Sequence, residues 1–93
     1  MAEETCRLDV WLWRARFFKT RAMAAQVVGA GAIRLTRAGA QERVSRPAKT
    51  LHRGDELVFA FAGRLREVRV EAFGRRRGPP TEARALYSPL EDS

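Results

Sequence analysis

The residue types that most often carry out catalysis are scarce in this chain. It contains one histidine, His52, and one cysteine, Cys6, and the two lie far apart in the sequence. A cysteine nucleophile needs a base beside it, and a structural zinc site needs about four ligands. Asp9 and Asp55 are single carboxylates at a predicted helix start and in a predicted turn. The sequence therefore predicts no catalytic residues, no metal site and no cofactor.

A group of four cations is the most informative feature of the sequence. They lie on both sides of the point where a helix is predicted to begin, and they are Arg14, Arg16, Lys19 and Arg21. Positive charge at a helix N-terminus opposes the helix dipole and costs on the order of 0.3–1 kcal/mol per residue. The free N–H groups of a helix start attract anions, so cations at the same place favour phosphate binding. The alternative is a solvated basic face.

Two other groups of basic residues follow. The first lies in an extended stretch, because a proline follows its second member, and comprises Arg43, Arg46 and Lys49. An extended segment presents its charges at intervals along a phosphate backbone. The second is a basic loop, suited to any polyanion, formed by Arg75, Arg76 and Arg77. For both groups the alternative is a solvated loop.

The overall composition also indicates a polyanionic partner. The chain has 93 residues, of which 18 are basic and 11 acidic, giving a formal net charge of +7. Such a surface repels itself unless a partner neutralises it. Sixteen of the basic residues are arginines, which bind phosphate bidentately, although a GC-rich genome would also favour arginine codons. With one cysteine and no long apolar run, the sequence predicts a cytoplasmic protein without a membrane segment.

The elements that must position these cations begin with two short helices. An apolar stripe predicts a helix over 7–16 and consists of Leu8, Trp11, Leu12 and Ala15. Trp13 lies off this stripe, where packing is favoured over stacking on a base. A second helix is predicted over 21–30, with Thr20 as its N-cap, Gly31 at its C-terminal turn, and an apolar side of Met23, Ala24, Val27 and Val28.

Strand patterns follow the helices. Alternating residues predict a strand near 33–35 that is followed by a turn at Ala38-Gly39. They also predict a strand that places Leu57, Phe59 and Phe61 on one face, and a returning strand through Val68 and Val70. Thr81 is predicted to cap a last helical turn that runs to Tyr87. The order indicates an α+β fold, in which the two helices pack on a small, mostly antiparallel sheet. We predict a disordered tail at 1–6, a domain over 7–74 and a basic extension over 75–93.

The sequence resembles the S4 RNA-binding domain over roughly Arg7 to Phe59. The segments that carry the resemblance are RLDVWLW, FFKTRAMAAQVVGAGAIRL and RVSRPAKTLHRGDEL. Two shorter segments, RFFKTR and RRRGPPTEARALY, are similar to the bacterial heat-shock protein fifteen family. The resemblance implies an S4-like fold and a non-enzymatic, monomeric protein. It also implies binding to ribosomal RNA on free large subunits that hold a nascent chain with its tRNA, assisting ribosome recycling under heat stress.

Carried onto this sequence, the family's RNA-facing surface has two parts. The first comprises Arg7, Arg16, Lys19, Thr20 and Arg21, and the second comprises Arg43, Arg46 and Lys49. Three departures are expected to matter. Val10 stands where lysine is common in the family. The hairpin around Thr36–Ala40 reads as longer than usual and lacks an Asn-Gly turn. Some relatives continue into a long basic tail. If that tail binds the ribosome, this protein either binds more weakly or compensates with Arg75–Arg77.

Two other functions remain open from the sequence. S4-like domains also position RNA for pseudouridine synthases and tRNA synthetases, which here would require a separate catalytic chain. A DNA-binding helix-turn-helix is the second alternative. It would need groove-reading side chains on the second helix, whose middle offers only Gln26 as a polar residue.

Overall fold

The computed structural model describes residues 4–90. The helices are α1 (Leu8–Arg14), α2 (Arg21–Gly29) and α3 (Pro80–Arg84). The strands are β1 (Cys6–Arg7), β2 (Ile33–Arg37), β3 (Ala40–Val44), β4 (Thr50–Leu51), β5 (Glu56–Phe61), β6 (Arg64–Val70) and β7 (Tyr87–Pro89). The predicted α+β class is confirmed. Within this part of the chain, no helix has the length and apolar character needed to cross a membrane.

The two N-terminal helices bury the residues that the sequence pattern selects. Leu8, Trp11, Leu12 and Ala15 are all buried, so the predicted stripe of α1 is confirmed. In α2 the buried residues are Ala24 and Val28, whereas Met23 is 45% exposed. The assignment of Met23 to the apolar side was wrong, because fewer positions of this short helix face the core than carry apolar residues.

The main sheet has five strands in the order β3-β2-β5-β6-β7, and every neighbouring pair is antiparallel. A separate two-stranded sheet pairs β1 with β4. One face of the main sheet packs on α1 and α2 and supplies most of the core, including Leu35, Leu57, Phe59 and Val68. Side chains alternate along each strand, so the arginines between these core positions point away from the helices.

The hairpin between β2 and β3 is tighter than the sequence suggests. Arg37 pairs directly with Ala40, which leaves a two-residue turn and confirms the turn predicted at Ala38-Gly39. Both residues have left-handed backbone angles, with φ of 52° and 80°. This is the conformation that an Asn-Gly turn normally adopts. The prediction of a longer hairpin was wrong, because alanine here takes a conformation that its type does not favour.

The C-terminal part of the chain joins the same sheet. The helix α3 begins at Pro80 with Pro79 as N-cap, so the prediction that Thr81 caps it was wrong. Tyr87 lies in β7, which pairs with β6, and not in a helical turn. The predicted domain boundary after residue 74 stays a prediction. The predicted N-terminal tail and C-terminal extension include residues 1–3 and 91–93, which lie outside the described residues.

Candidate nucleic-acid interface

The start of α2 is built as the sequence predicts. Thr20 has an extended backbone, and its hydroxyl accepts a hydrogen bond of 3.0 Å from the Met23 N–H. The first turn carries no acidic residue. Lys19 and Arg21 flank the cap, are both exposed, and have no ion-pair partner among residues 4–90. An anion would therefore meet two cations together with the amides at the start of the helix.

Replacing Thr20 with alanine is expected to lower the free energy of unfolding by about 1 kcal/mol. The change removes the acceptor of the Met23 N–H, which no intrahelical bond can replace. Urea denaturation followed by circular dichroism measures the loss. Thr20→Ser is the matched control, since it keeps the hydroxyl and should recover most of the stability. Equal stabilities for the two variants would contradict the capping role.

The other two cations of the predicted cluster contact the chain itself. One Arg14 guanidinium nitrogen lies 3.0 Å from the Gly74 carbonyl oxygen and 3.5 Å from that of Phe73, and its Nε is buried without a hydrogen-bond partner. Arg16 donates from Nε to the Gly78 carbonyl oxygen at 2.6 Å. The structure thus places Arg14 against the backbone of 73–74, whereas Arg16 remains exposed.

Arg7 lies at the start of α1 and faces Asp9. Its Nε and one terminal nitrogen donate to the two carboxylate oxygens at 3.0 and 2.9 Å. These hydrogen bonds raise the pKa of the Arg7 guanidinium. The Asp9 side chain is 5% exposed and that of Arg7 is 52% exposed. Arg7 therefore neutralises a buried carboxylate while keeping part of its surface available to a ligand.

The second predicted basic group surrounds two open cavities near β3 and β4. Arg46 and Lys49 line both of them, and the larger, of about 470 Å³, is also lined by Arg37. Arg46 is exposed. Lys49 forms an ion pair of 2.6 Å with Glu42. The structure thus brings Arg46 and Lys49 together and partly neutralises Lys49.

Two arginines near this group were missed by the sequence analysis. Arg34 lies directly opposite Arg43 in the β2–β3 ladder, and both are exposed. Arg43 donates to the Gly31 carbonyl oxygen at 3.0 Å. Like charges opposite each other destabilise a strand pair, so this pair favours an anion between them. The alternation of Arg34 with the apolar Ile33 and Leu35 indicated that Arg34 faces solvent. Only the register of the hairpin shows that Arg43 lies opposite it.

Arg37 is the second missed arginine, and it forms a bidentate pair with Asp55. The Arg37 Nε and one terminal nitrogen lie 2.8 and 2.7 Å from the carboxylate oxygens. The His52 N–H also donates to Asp55 at 2.8 Å. Burial alone would raise the pKa of Asp55, but the Arg37 and His52 hydrogen bonds outweigh it and lower that pKa. The pair holds Arg37 at the rim of the larger cavity.

The basic loop is divided among three environments. Arg75 is exposed, and Arg76 forms an exposed ion pair of 2.9 Å with Glu82. Arg77 is half-buried and donates from Nε to the Trp13 carbonyl oxygen at 3.2 Å. Trp13 itself is half-buried. The loop therefore lies against α1, and only part of its charge faces solvent.

The residues considered first for catalysis make structural contacts within the fold. Cys6 pairs with Leu51 between β1 and β4, and burial raises the pKa of its thiol. His52 is half-buried beside the turn that Asp55 closes. Across residues 4–90, no group of three or more histidine, cysteine, aspartate or glutamate side chains could hold a metal ion.

Comparison with known proteins identifies the family to which this fold belongs. The model of the S4 domain family matches residues 6–57. Heat shock protein 15 of Escherichia coli strain K12 is 34% identical over 94% of this chain and 62% of its own length. The heat shock protein 15 homolog of Haemophilus influenzae is 35% identical over the whole chain and 67% of its own length.

A solved structure also matches this chain in fold and sequence. The trimeric structure of heat shock protein 15 from Vibrio cholerae matches with a TM-score of 0.82 at 31% identity, covering 94% of this chain and 83% of that one. The chain spans about 62% of the length of the Escherichia coli relative. The chain therefore belongs to the S4 domain family and, within it, to the heat shock protein 15 proteins.

Proposed function

We propose that this protein binds ribosomal RNA without catalysing a reaction, and that phosphate neutralisation supplies most of the binding energy. One observation carries the proposal. Lys19 and Arg21 are exposed on both sides of a capped helix start whose first turn holds no acid. This arrangement is unfavourable for the helix alone and favourable only when an anion is bound.

The proposed interface extends from this helix start to the second basic group. Arg7 and Arg16 keep exposed surface beside α1 and its C-terminal turn. Arg46 is exposed beside Lys49, and Arg43 faces solvent opposite Arg34. Arg14 and Arg77 take a smaller part in the proposal, since they are half-buried and donate to backbone carbonyl oxygens of the chain. Arg16 and Arg43 also donate to such oxygens but stay exposed.

The target that we propose is the free large ribosomal subunit carrying a nascent chain with its tRNA. The family membership supports a role in the heat-shock response, and the resemblance of the sequence supports the ribosome as the partner. Recycling of such stalled particles in the cytoplasm is the activity we propose. Selectivity would come from the shape of folded RNA, because cations that bind phosphates do not read base edges.

Co-sedimentation with separated ribosomal particles tests this function. We expect preferential migration with large subunits that carry peptidyl-tRNA over vacant large subunits, and binding that falls steeply as salt rises. Equal and salt-labile binding to every particle would contradict the proposed target while leaving the charge argument intact. Light scattering on the isolated protein tests the expected monomer, for which the trimer of the Vibrio cholerae relative is the alternative.

A further inference from the structure

A small pocket with aromatic walls adjoins the interface described above and shares Arg16 with it. We call it the aromatic pocket, and its volume is about 210 Å³. It opens between the α1–α2 connection, the β5–β6 hairpin and the α3–β7 segment. Its lining residues are Ala15, Arg16, Phe17, Phe61, Arg66, Pro80, Ala83, Arg84 and Tyr87. Six of these nine residues lie beyond the part of the chain that matches the S4 domain.

Three rings form the walls of the aromatic pocket. Phe17 is buried and lies 5.4 Å from Phe61 and 4.8 Å from Tyr87, measured between ring centroids. Phe61 and Tyr87 are only half-buried, so part of each side chain is accessible to solvent. Aromatic side chains that keep an exposed surface in a pocket are suited to contact with another flat ring.

Arginine supplies the charged side chains that line the aromatic pocket. Three of its lining residues are arginines, and none of the lining residues within 4–90 is acidic. The Arg66 guanidinium lies 5.7 Å from the centroid of the Phe17 ring, which directs a cation along the aromatic wall. The Nε of Arg84 donates to the Pro80 carbonyl oxygen at 3.3 Å within its own helix, and the side chain has no ion-pair partner among residues 4–90. The pocket therefore combines flat apolar walls with groups that bind phosphate.

The backbone at Arg16 gives an independent indication. Arg16 has φ of 65°, the left-handed conformation that glycine usually adopts after a helix. Its N–H bonds to the Trp13 carbonyl oxygen and the next N–H to that of Leu12, which defines a Schellman turn. An arginine at this position costs stability that a glycine would not cost. What it provides is a guanidinium at the mouth of the pocket, held by the Gly78 carbonyl oxygen.

We propose that the aromatic pocket binds one unstacked nucleotide of the RNA, with its base against Phe61 and Tyr87 and its phosphate against the arginines. The inference rests on the proposed function, since Arg16 belongs to both surfaces. The volume is below the roughly 300–1,000 Å³ of pockets for drug-sized ligands, which suits a single base. An acidic peptide would satisfy the arginines but would leave the aromatic walls without a flat partner.

Two RNA hairpins that differ by one bulged nucleotide test the proposal. Fluorescence anisotropy with the full chain should show about 5- to 160-fold tighter binding to the bulged hairpin, the range that stacking of one base provides. Tyr87→Leu and Arg66→Gln should remove most of this preference and change binding to the fully paired hairpin far less. Phe61→Leu is the second aromatic variant if Tyr87→Leu does not fold by circular dichroism.

Arg69→Gln is the matched control. It removes the same charge from the same strand, but Arg69 alternates with the buried Val68 and Val70 and therefore lies on the opposite face from Arg66. The control should keep the preference for the bulge. Equal binding of both hairpins by the unmodified protein would overturn the pocket alone, whereas no binding to either would overturn the RNA function as well. Displacement of the bulged hairpin by a polyglutamate peptide at equal concentration would also overturn the pocket, in favour of a protein ligand.

Discussion

Replacing Lys19 and Arg21 together with alanine is expected to weaken RNA binding by about 10- to 100-fold near 0.1 M salt. Each phosphate contact adds about 0.9 to the slope of log affinity against log salt, so the loss of two contacts should lower that slope by nearly 2. The fold should survive, because both side chains are exposed and neither has an ion-pair partner among residues 4–90. Removing cations at a helix start should even stabilise α2 slightly.

A titration of large-subunit RNA at several salt concentrations, with thermal unfolding in parallel, measures both effects. The matched control is the double variant Arg53→Ala with Arg69→Ala, which removes the same charge from two exposed arginines that already pair with Glu4 and Glu56. The control should change affinity much less. Unchanged binding in the Lys19/Arg21 variant would refute the helix-start site, and equal losses in both variants would reduce it to a general effect of net charge.

Local sequence patterns were sufficient to predict the helix start. Thr20, the stripe of α1 and the glycine after α2 are determined by interactions within a few residues, and the structure confirms them. The orientation of Arg14 and Arg77 is not local. Their hydrogen-bond partners lie about 60 residues away in the chain, so no spacing rule could have indicated that these cations face the backbone.

Long-range pairing also explains the errors in the fold. Tyr87 follows a short helix and reads as its last turn, but pairing with β6 and packing against Phe17 place it in a strand. The turn at Ala38-Gly39 was predicted, but the hairpin was expected to be longer because alanine does not favour the left-handed conformation that Ala38 adopts. The same hairpin places Arg34 opposite Arg43. Because the hairpin register was not predicted, the pairing of these two exposed arginines was not predicted either.

Asp55→Asn is expected to lower the free energy of unfolding by about 2–3 kcal/mol at neutral pH. Removing one partner of a buried ion pair costs about 3–5 kcal/mol. The expected loss is smaller here because the Arg37 side chain is 36% exposed, so water can solvate its charge. The side chain of Asp55 is 2% exposed and accepts three hydrogen bonds. Glu56→Gln is the control, because it removes the neighbouring carboxylate from an exposed pair with Arg69 and should cost less than about 1 kcal/mol.

The pH dependence of the same variant separates charge from packing. The pKa of Asp55 is lower in the folded protein than in the unfolded chain, because the Arg37 and His52 hydrogen bonds favour the carboxylate despite its burial. Its contribution to stability is therefore fully present above the unfolded pKa of about 4 and is lost as the pH falls through the lower folded value. Urea denaturation from pH 7 to pH 3 should show a constant difference between the protein and Asp55→Asn down to about pH 4.5, and a smaller one below. A difference that persists unchanged at pH 3 would mean that Asp55 acts through shape alone, and the Arg37 ion pair would then contribute nothing to holding the turn beside the basic cavity.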